Sequence, residues 1–190
     1  MYSIDEYGKS IDCVTFLVAD NCSTNKSVAT KLRIKFIGCA SHRMNLASRL
    51  YLDDFESTLV KIQKTMSLLG HLKRAAALRK FTPLQPITRN LTRWTSDFAM
   101  VNRYAELKTI IEKPELSIDT ALLVGHDEWR ALETASANFV ILEDVTRGLQ
   151  AEKLNMFEAR AMTDSVLEHL PELVAKLGQT GPNWAKMHIL

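Results

Sequence analysis

Cysteine, proline and glycine are scarce in this chain, with three, five and seven residues of each among 190. Three thiols (Cys13, Cys22 and Cys39) cannot pair completely, which excludes a disulfide scaffold and points to free thiols in a reducing compartment. The low glycine and proline content, without repeats or low-complexity segments, excludes collagen-like and disordered chains. Long apolar runs are also missing. No unbroken run, Phe16–Ala19 included, approaches the roughly 18 residues a membrane span needs. Polar residues follow Met1, so neither a transmembrane helix nor a signal peptide is expected. Glycine-rich phosphate loops, Cys-x-x-Cys pairs, a nucleophile elbow and His-Glu-x-x-His are absent, which removes sequence support for most common enzyme classes. What is present is 46% hydrophobic and 24% charged, the profile of an ordinary soluble domain able to bury a core.

The net charge of +2 conceals an uneven distribution. Residues 1–60 carry seven basic and seven acidic side chains, residues 61–110 ten and two, and residues 111–190 seven and thirteen. A basic middle can face a polyanion, and an acidic end can face a basic partner or screen that patch. Solvated helix faces are the alternative reading of the same pattern.

Periodicity divides the chain after its first fifty residues. Val14 to Ala19 is a nearly continuous β-branched and apolar run, the pattern of a strand buried on both faces. Ser23 and Thr24 can cap a helix whose inner stripe is Val28 and Leu32, and Ile34 to Cys39 reads as a second strand. This βαβ unit is expected to be parallel, with both strands ending on one edge, so that Asp20 and the segment from Cys39 to His42 become neighbours. From Asp53 onward the spacing is helical. Phe55, Leu59, Ile62, Met66, Leu69, Leu72 and Ala76 predict one long helix, and Pro83 and Pro86 interrupt the chain. A further helix runs from about Thr92–Thr95 through Phe98, Val101, Ala105 and Ile111, stopping before Pro114. Another is capped by Asp127, with Trp129, Leu132, Phe139, Leu142, Val145 and Leu149 inward. A last one begins near Asn155, with Met156, Ala159, Val166, Leu170, Val174 and Leu177 inward; Pro171 can kink it, Gly178 ends it, and Trp184 hints at docking. The fold class is mainly α with a short α/β start.

Three constellations can carry chemistry. Cys39 and His42 have the spacing of half a zinc site, but no second pair stands at a credible distance; otherwise Cys39 is a strand-end residue and His42 lies in a helix capped by Ser41. Asp20 follows a buried strand, where open α/β sheets hold ligands, and with Asn21 it offers oxygen to a hard cation such as Mg²⁺; alternatively the two form an Asx turn leading into the helix. Arg93 and Trp94 open a helix in the basic stretch, where arginine can grip a phosphate and tryptophan can stack on an unpaired base. The alternative makes Trp94 a core anchor and leaves Arg93 in solvent.

In order, these pieces resemble the hAT superfamily of DNA transposases. The matching segments are FLVADNCSTN (Phe16 to Asn25), GCASHRMNL (Gly38 to Leu46), which is similar to the family's Cys-x-x-His-x-x-Asn-Leu motif through Cys39, His42, Asn45 and Leu46, TRW (Thr92, Arg93, Trp94) and EWRALE (Glu128 to Glu133). The resemblance covers Val14 to Leu149. It implies a ribonuclease H-like α/β segment over residues 1–52, followed over 53–190 by a helical insertion of about four helices. In the family three acidic residues hold two Mg²⁺ or Mn²⁺ ions that promote attack on a phosphodiester, by the two-metal logic of stabilising attacking and leaving oxygens together. Asp20 matches the second of these metal ligands. His42, with Cys39 and Asn45 beside it, matches the motif next to the catalytic centre. Trp94 matches the tryptophan associated with hairpin formation, and Arg93 its phosphate contact. Arg89, Lys73 and Arg74 are further DNA contacts expected in the basic stretch.

The first and third acidic residues of the family, its zinc finger and its dimerisation segment fall outside these 190 residues. The resemblance therefore implies a fragment or degenerate copy that binds transposon-end DNA but is inactive alone, with no tightly held metal. The intact protein would be a nuclear homo-oligomer unattached to membranes, and without the resemblance a cytoplasmic location would stand. The competing expectation is a helical protein-interaction module of transposon origin with no DNA function.

Overall fold

The structure, a computed structural model, describes Gly8, residues 10–90 and residues 93–177. Thr92, Gly178 and Trp184 lie outside the described residues. The chain is mainly helical, with a short two-stranded parallel sheet near its start. The described residues form two compact units, one from residues up to 47 together with 145–177, the other from residues 48–144. Among the described residues no helix is long and apolar enough to cross a membrane.

In the first unit, β1 (Phe16–Ala19) pairs in parallel with β2 (Lys35–Gly38), in a register that sets Phe16 beside Lys35 and Ala19 beside Gly38. Between them runs α1 (Ser23–Leu32). The helix is capped by Cys22, whose thiol accepts from the Asn25 N–H, rather than by Ser23 or Thr24. It closes through Arg33 in a left-handed conformation (φ 54°), a geometry uncommon outside glycine, whose N–H bonds the Ala29 and Thr30 carbonyls. Its buried residue is Ala29, whereas Val28 and Leu32 are exposed, which corrects the expected inner stripe by one position.

The expectation that β1 is buried on both faces also fails. Phe16 is 45% and Val18 53% exposed, while Leu17 and Ala19 are half-buried. Alternate side chains leave a strand on opposite faces, and the two-stranded sheet has α1 packed against it. The same unit contains the start of α2 (Ala40–Leu52), α7 (Met156–His169) and α8 (Val174–Leu177), with Met44, Ala47, Ala159, Val166 and Leu177 buried. Arg43 donates to the Leu177 carbonyl at 2.8 Å, tying α2 to α8. The α7 start carries a reciprocal capping box between Asn155 and Glu158. The helix ends at His169, before Pro171 opens a 3₁₀ turn, so Pro171 separates two helices instead of kinking one.

The second unit holds α3 (Glu56–Leu69), α4 (Leu72–Leu78), α5 (Trp94–Ile111) and most of α6 (His126–Gly148). The long helix expected through Ala76 breaks at Gly70 and His71, because His71 is extended (φ −71°, ψ 143°). Leu72 consequently leaves the apolar stripe and is 82% exposed. The stripes of α3 (Leu59, Ile62, Met66, Leu69) and α5 (Trp94, Phe98, Val101, Leu107, Ile111) are buried, and the two helices pack together. Tyr104, not the exposed Ala105, is the inward residue of α5 at that turn. Phe139 of α6 meets the rings of Tyr51, Phe55 and Phe98 at centroid distances of 5.7, 5.9 and 5.9 Å, edge-on or tilted, as aromatic quadrupoles favour. α6 starts at His126, so Asp127 lies in its first turn, and Glu128 accepts from the Gly125 N–H.

Candidate functional site

The parallel register brings the carboxyl ends of β1 and β2 together, and the Cys39 N–H donates to the Ala19 carbonyl at 2.7 Å. Asp20 follows β1 directly and Ala40 opens α2 directly after Cys39, so Asp20 and the Cys39 to His42 segment share one sheet edge. Cys39, His42 and Asn45 step by threes along the start of α2, all half-buried, while Met44 and Ala47 point into the core. Ser41 lies inside the first turn instead of capping it.

Local hydrogen bonds arrange Asp20. Its Oδ1 accepts from the Cys22 N–H at 3.3 Å, the geometry of an Asx turn, and from the Asn25 amide at 2.6 Å. The Cys22 thiol and N–H, then Asn25 and His42, hold the carboxyl below its ordinary range. The side chain is fully exposed. Asn21 lies over Gly38: a Cβ there would fall 2.2 Å from Asn21 Oδ1, so the strand end accommodates the amide because residue 38 is glycine.

The donor set does not fit a pair of dications. Two metal ions need several carboxylates converging on them, and this edge offers one exposed carboxylate already bonded to its own turn. Among the described residues no group of three or more His, Cys, Asp or Glu is gathered as metal ligands, and Cys39 with His42 has no second ligand pair.

The basic stretch divides by environment. Arg89 is turned inward: its guanidinium pairs with both Glu56 oxygens at 2.6 and 2.8 Å and with Asp97 at 3.4 Å, while its N–H donates to Gln63. Hydrogen bonding to Glu56 raises the Arg89 pKa, the same contact lowers that of Glu56, and burial pushes Asp97 up. Arg74 donates to the Leu116 and Ser117 carbonyls and holds the turn after α5. Lys61 pairs with Glu128, Arg103 with Glu106, and Lys108 lies 4.5 Å over the Trp129 ring. Trp94 is completely buried and stacks on Phe98 at 6.3 Å, so its indole offers no face to solvent. Exposed instead are Lys64, Lys73, Arg79, Lys80 and Arg93.

Three participants escaped sequence reasoning: Cys22 as cap, Asn25 as the amide on Asp20, and Gly38 as the platform for Asn21. The spacing Asp-x-Cys-x-x-Asn carries the first two, since a side chain two residues past a strand end faces the next helical turn. No family model, curated protein or solved structure matches this chain.

Proposed function

We propose that this chain is part of a hAT-type DNA transposase, retaining the strand with the second acidic residue and a portion of the DNA-contacting helical insertion, and that alone it binds DNA without cutting it. One observation carries the reading: Asp20 and the Cys39-x-x-His42-x-x-Asn45 segment, apart in sequence, meet at the carboxyl edge of a parallel βαβ unit. Ligands of open α/β sheets bind at that edge. Within these 190 residues the resemblance assigns one of three metal-binding carboxylates, and one carboxylate does not position two Mg²⁺ or Mn²⁺ ions. Nuclear residence and assembly with further copies belong to the same reading.

DNA contact falls to the exposed Lys73, Lys80 and Arg93 more than to Arg89, Arg74 or Trp94, which serve internal contacts. That internal commitment also favours a second reading, a helical protein-interaction module of transposon origin. Fluorescence anisotropy with duplex DNA separates them. The first reading expects binding that weakens about 10³-fold between 50 and 200 mM salt if about six phosphates are neutralised, with no nicking when Mg²⁺ is added. Absence of binding at 50 mM salt selects the module.

A further inference from the structure

Arg43 of α2 and Arg160 of α7, far apart in sequence, line one small cavity of the first unit together with Ala40, Thr163 and Leu177. A hydrogen bond orients each guanidinium: Arg43 donates from a terminal nitrogen to the Leu177 carbonyl at 2.8 Å, and Arg160 donates through Nε to Asp164 at 2.7 Å. Burial, and then the charge of Arg160, hold the Arg43 pKa below its ordinary value. Like charges drawn into one half-buried place cost free energy, and Asp164 sets one carboxylate against two guanidinia. This face is distinct from the one that meets Asp20, because Ala40 and Arg43 occupy the row of α2 next to that of His42 and Asn45, turned from it by about 100°.

We infer that this cavity binds an oxyanion of the phosphate class, gripped between Arg43 and Arg160. A guanidinium is planar and offers paired N–H donors that match two oxygens of one anion. Two of them converging from different helices leave a positive charge that such an anion balances. Size narrows the ligand. A volume of about 10 Å³ is what one water or one oxygen atom needs, so a single oxygen enters and the others are left for the guanidinium donors, whereas an apolar or ring-shaped ligand finds no room. The Thr163 hydroxyl gives its proton to the Ala159 carbonyl at 2.9 Å and supplies no donor, so the grip rests on the two arginines. The cations assigned to DNA belong to the other unit, and this site does not rest on the transposase reading.

Titration of the 190-residue chain with inorganic phosphate, with sodium chloride lowered to hold the ionic strength constant, tests the site through the NMR resonances of the arginine Nε–H groups. Saturable shifts at Arg43 and Arg160 are expected between about 0.1 and about 10 mM phosphate, the range of a ligand of few atoms held by charged contacts. Arg160→Gln is expected to weaken binding at least about tenfold, the loss of a charge-assisted hydrogen bond, with the far-ultraviolet circular dichroism unchanged because that side chain is 45% exposed. Arg160→Lys keeps the charge without the fork and is expected to fall between the two. Lys153→Gln removes the same charge from an exposed position of the same unit and is expected to leave the affinity unchanged. Methyl phosphate, titrated in parallel, separates the sources of the anion: weaker binding than phosphate assigns the free ion, equal or tighter binding a phosphoryl group carried on a larger molecule. Absence of saturation up to about 10 mM of either overturns the inference. So does an affinity that Arg160→Gln leaves intact, or that Lys153→Gln lowers equally, which marks diffuse attraction to positive charge. These outcomes hold whether or not the chain binds DNA.

Discussion

Residues 48–144 supply twenty of the twenty-nine buried apolar side chains among the described residues, whereas residues 1–47 with 145–177 supply nine and expose eight of the twelve large hydrophobics that face solvent. The difference follows from how each kind of element closes a core. An amphipathic helix presents one stripe, and α3, α5 and α6 satisfy one another's stripes around Phe139, Phe98 and Trp94. A parallel strand has two faces and two edges to cover, and a pair of strands with one connecting helix leaves Phe16 and Val18 open. Among the described residues, the helical unit thus buries most of its apolar side chains, and the other leaves more of them exposed.

The sharpest way to break this contrast is to attack the closed unit at its centre. Trp94→Ala is expected to cost about 3–5 kcal/mol, the range for deleting a buried large aromatic, seen as a lower urea midpoint. A loss confined to DNA affinity with unchanged stability would show that the indole works at the surface instead.

Next comes the ion cluster. Arg89→Met leaves Asp97 buried without its cation, at a cost of about 3 kcal/mol near neutral pH. The pH dependence has a definite sign. Asp97, raised above its ordinary value of 3.8 by burial, binds its proton more readily folded than unfolded, so its contribution is most favourable at low pH and is lost as pH rises through the folded value. Glu56, held below 4.5 by Arg89, contributes stability above its unfolded value and loses it as pH falls through the folded one. The deficit of Arg89→Met relative to the parent therefore narrows as pH falls, first as the buried Asp97 takes up a proton and needs no cation, and further below 4.5 as Glu56 loses its advantage. A pH-independent deficit would assign the loss to side-chain packing.

The smallest effect belongs to the open unit. Gly38→Ala moves the end of the Asn21 side chain, not backbone, so the expected loss is about 1 kcal/mol, accompanied by changed chemical shifts at Asn21 and Asp20. A loss as large as that of Trp94→Ala would mean that the strand edge is as closely packed as the helical core.

The sequence disclosed what depends on local pattern. The parallel βαβ unit, the stop before Pro114 and the Asn155 start were legible because apolar spacing and capping chemistry act over a few residues. The meeting of Asp20 with Cys39 and His42 followed from the parallel pairing of such units. The break at Gly70 was not legible, since the apolar spacing runs through it and only the extended His71 reveals it. The burial of Trp94 as a core anchor was one of the two readings its segment offered, whereas the inward turn of Arg89 depends on Glu56 of α3, far away in sequence. Charge counts have the same blindness: which of the ten cations of residues 61–110 bond to other helices of the unit is decided only when the helices are assembled.

On the proposed DNA-binding reading, DNA meets the open cations and not the enclosed ones. The direct measurement is the salt dependence of duplex affinity for the triple variant Lys73→Gln, Lys80→Gln and Arg93→Gln beside the parent chain. The expected result is a slope of log affinity against log salt shallower by about 3, each lost phosphate contact removing roughly 0.9, with unfolding midpoints unchanged. A slope equal to that of the parent would contradict the claim, as would a parent chain that does not bind DNA at low salt.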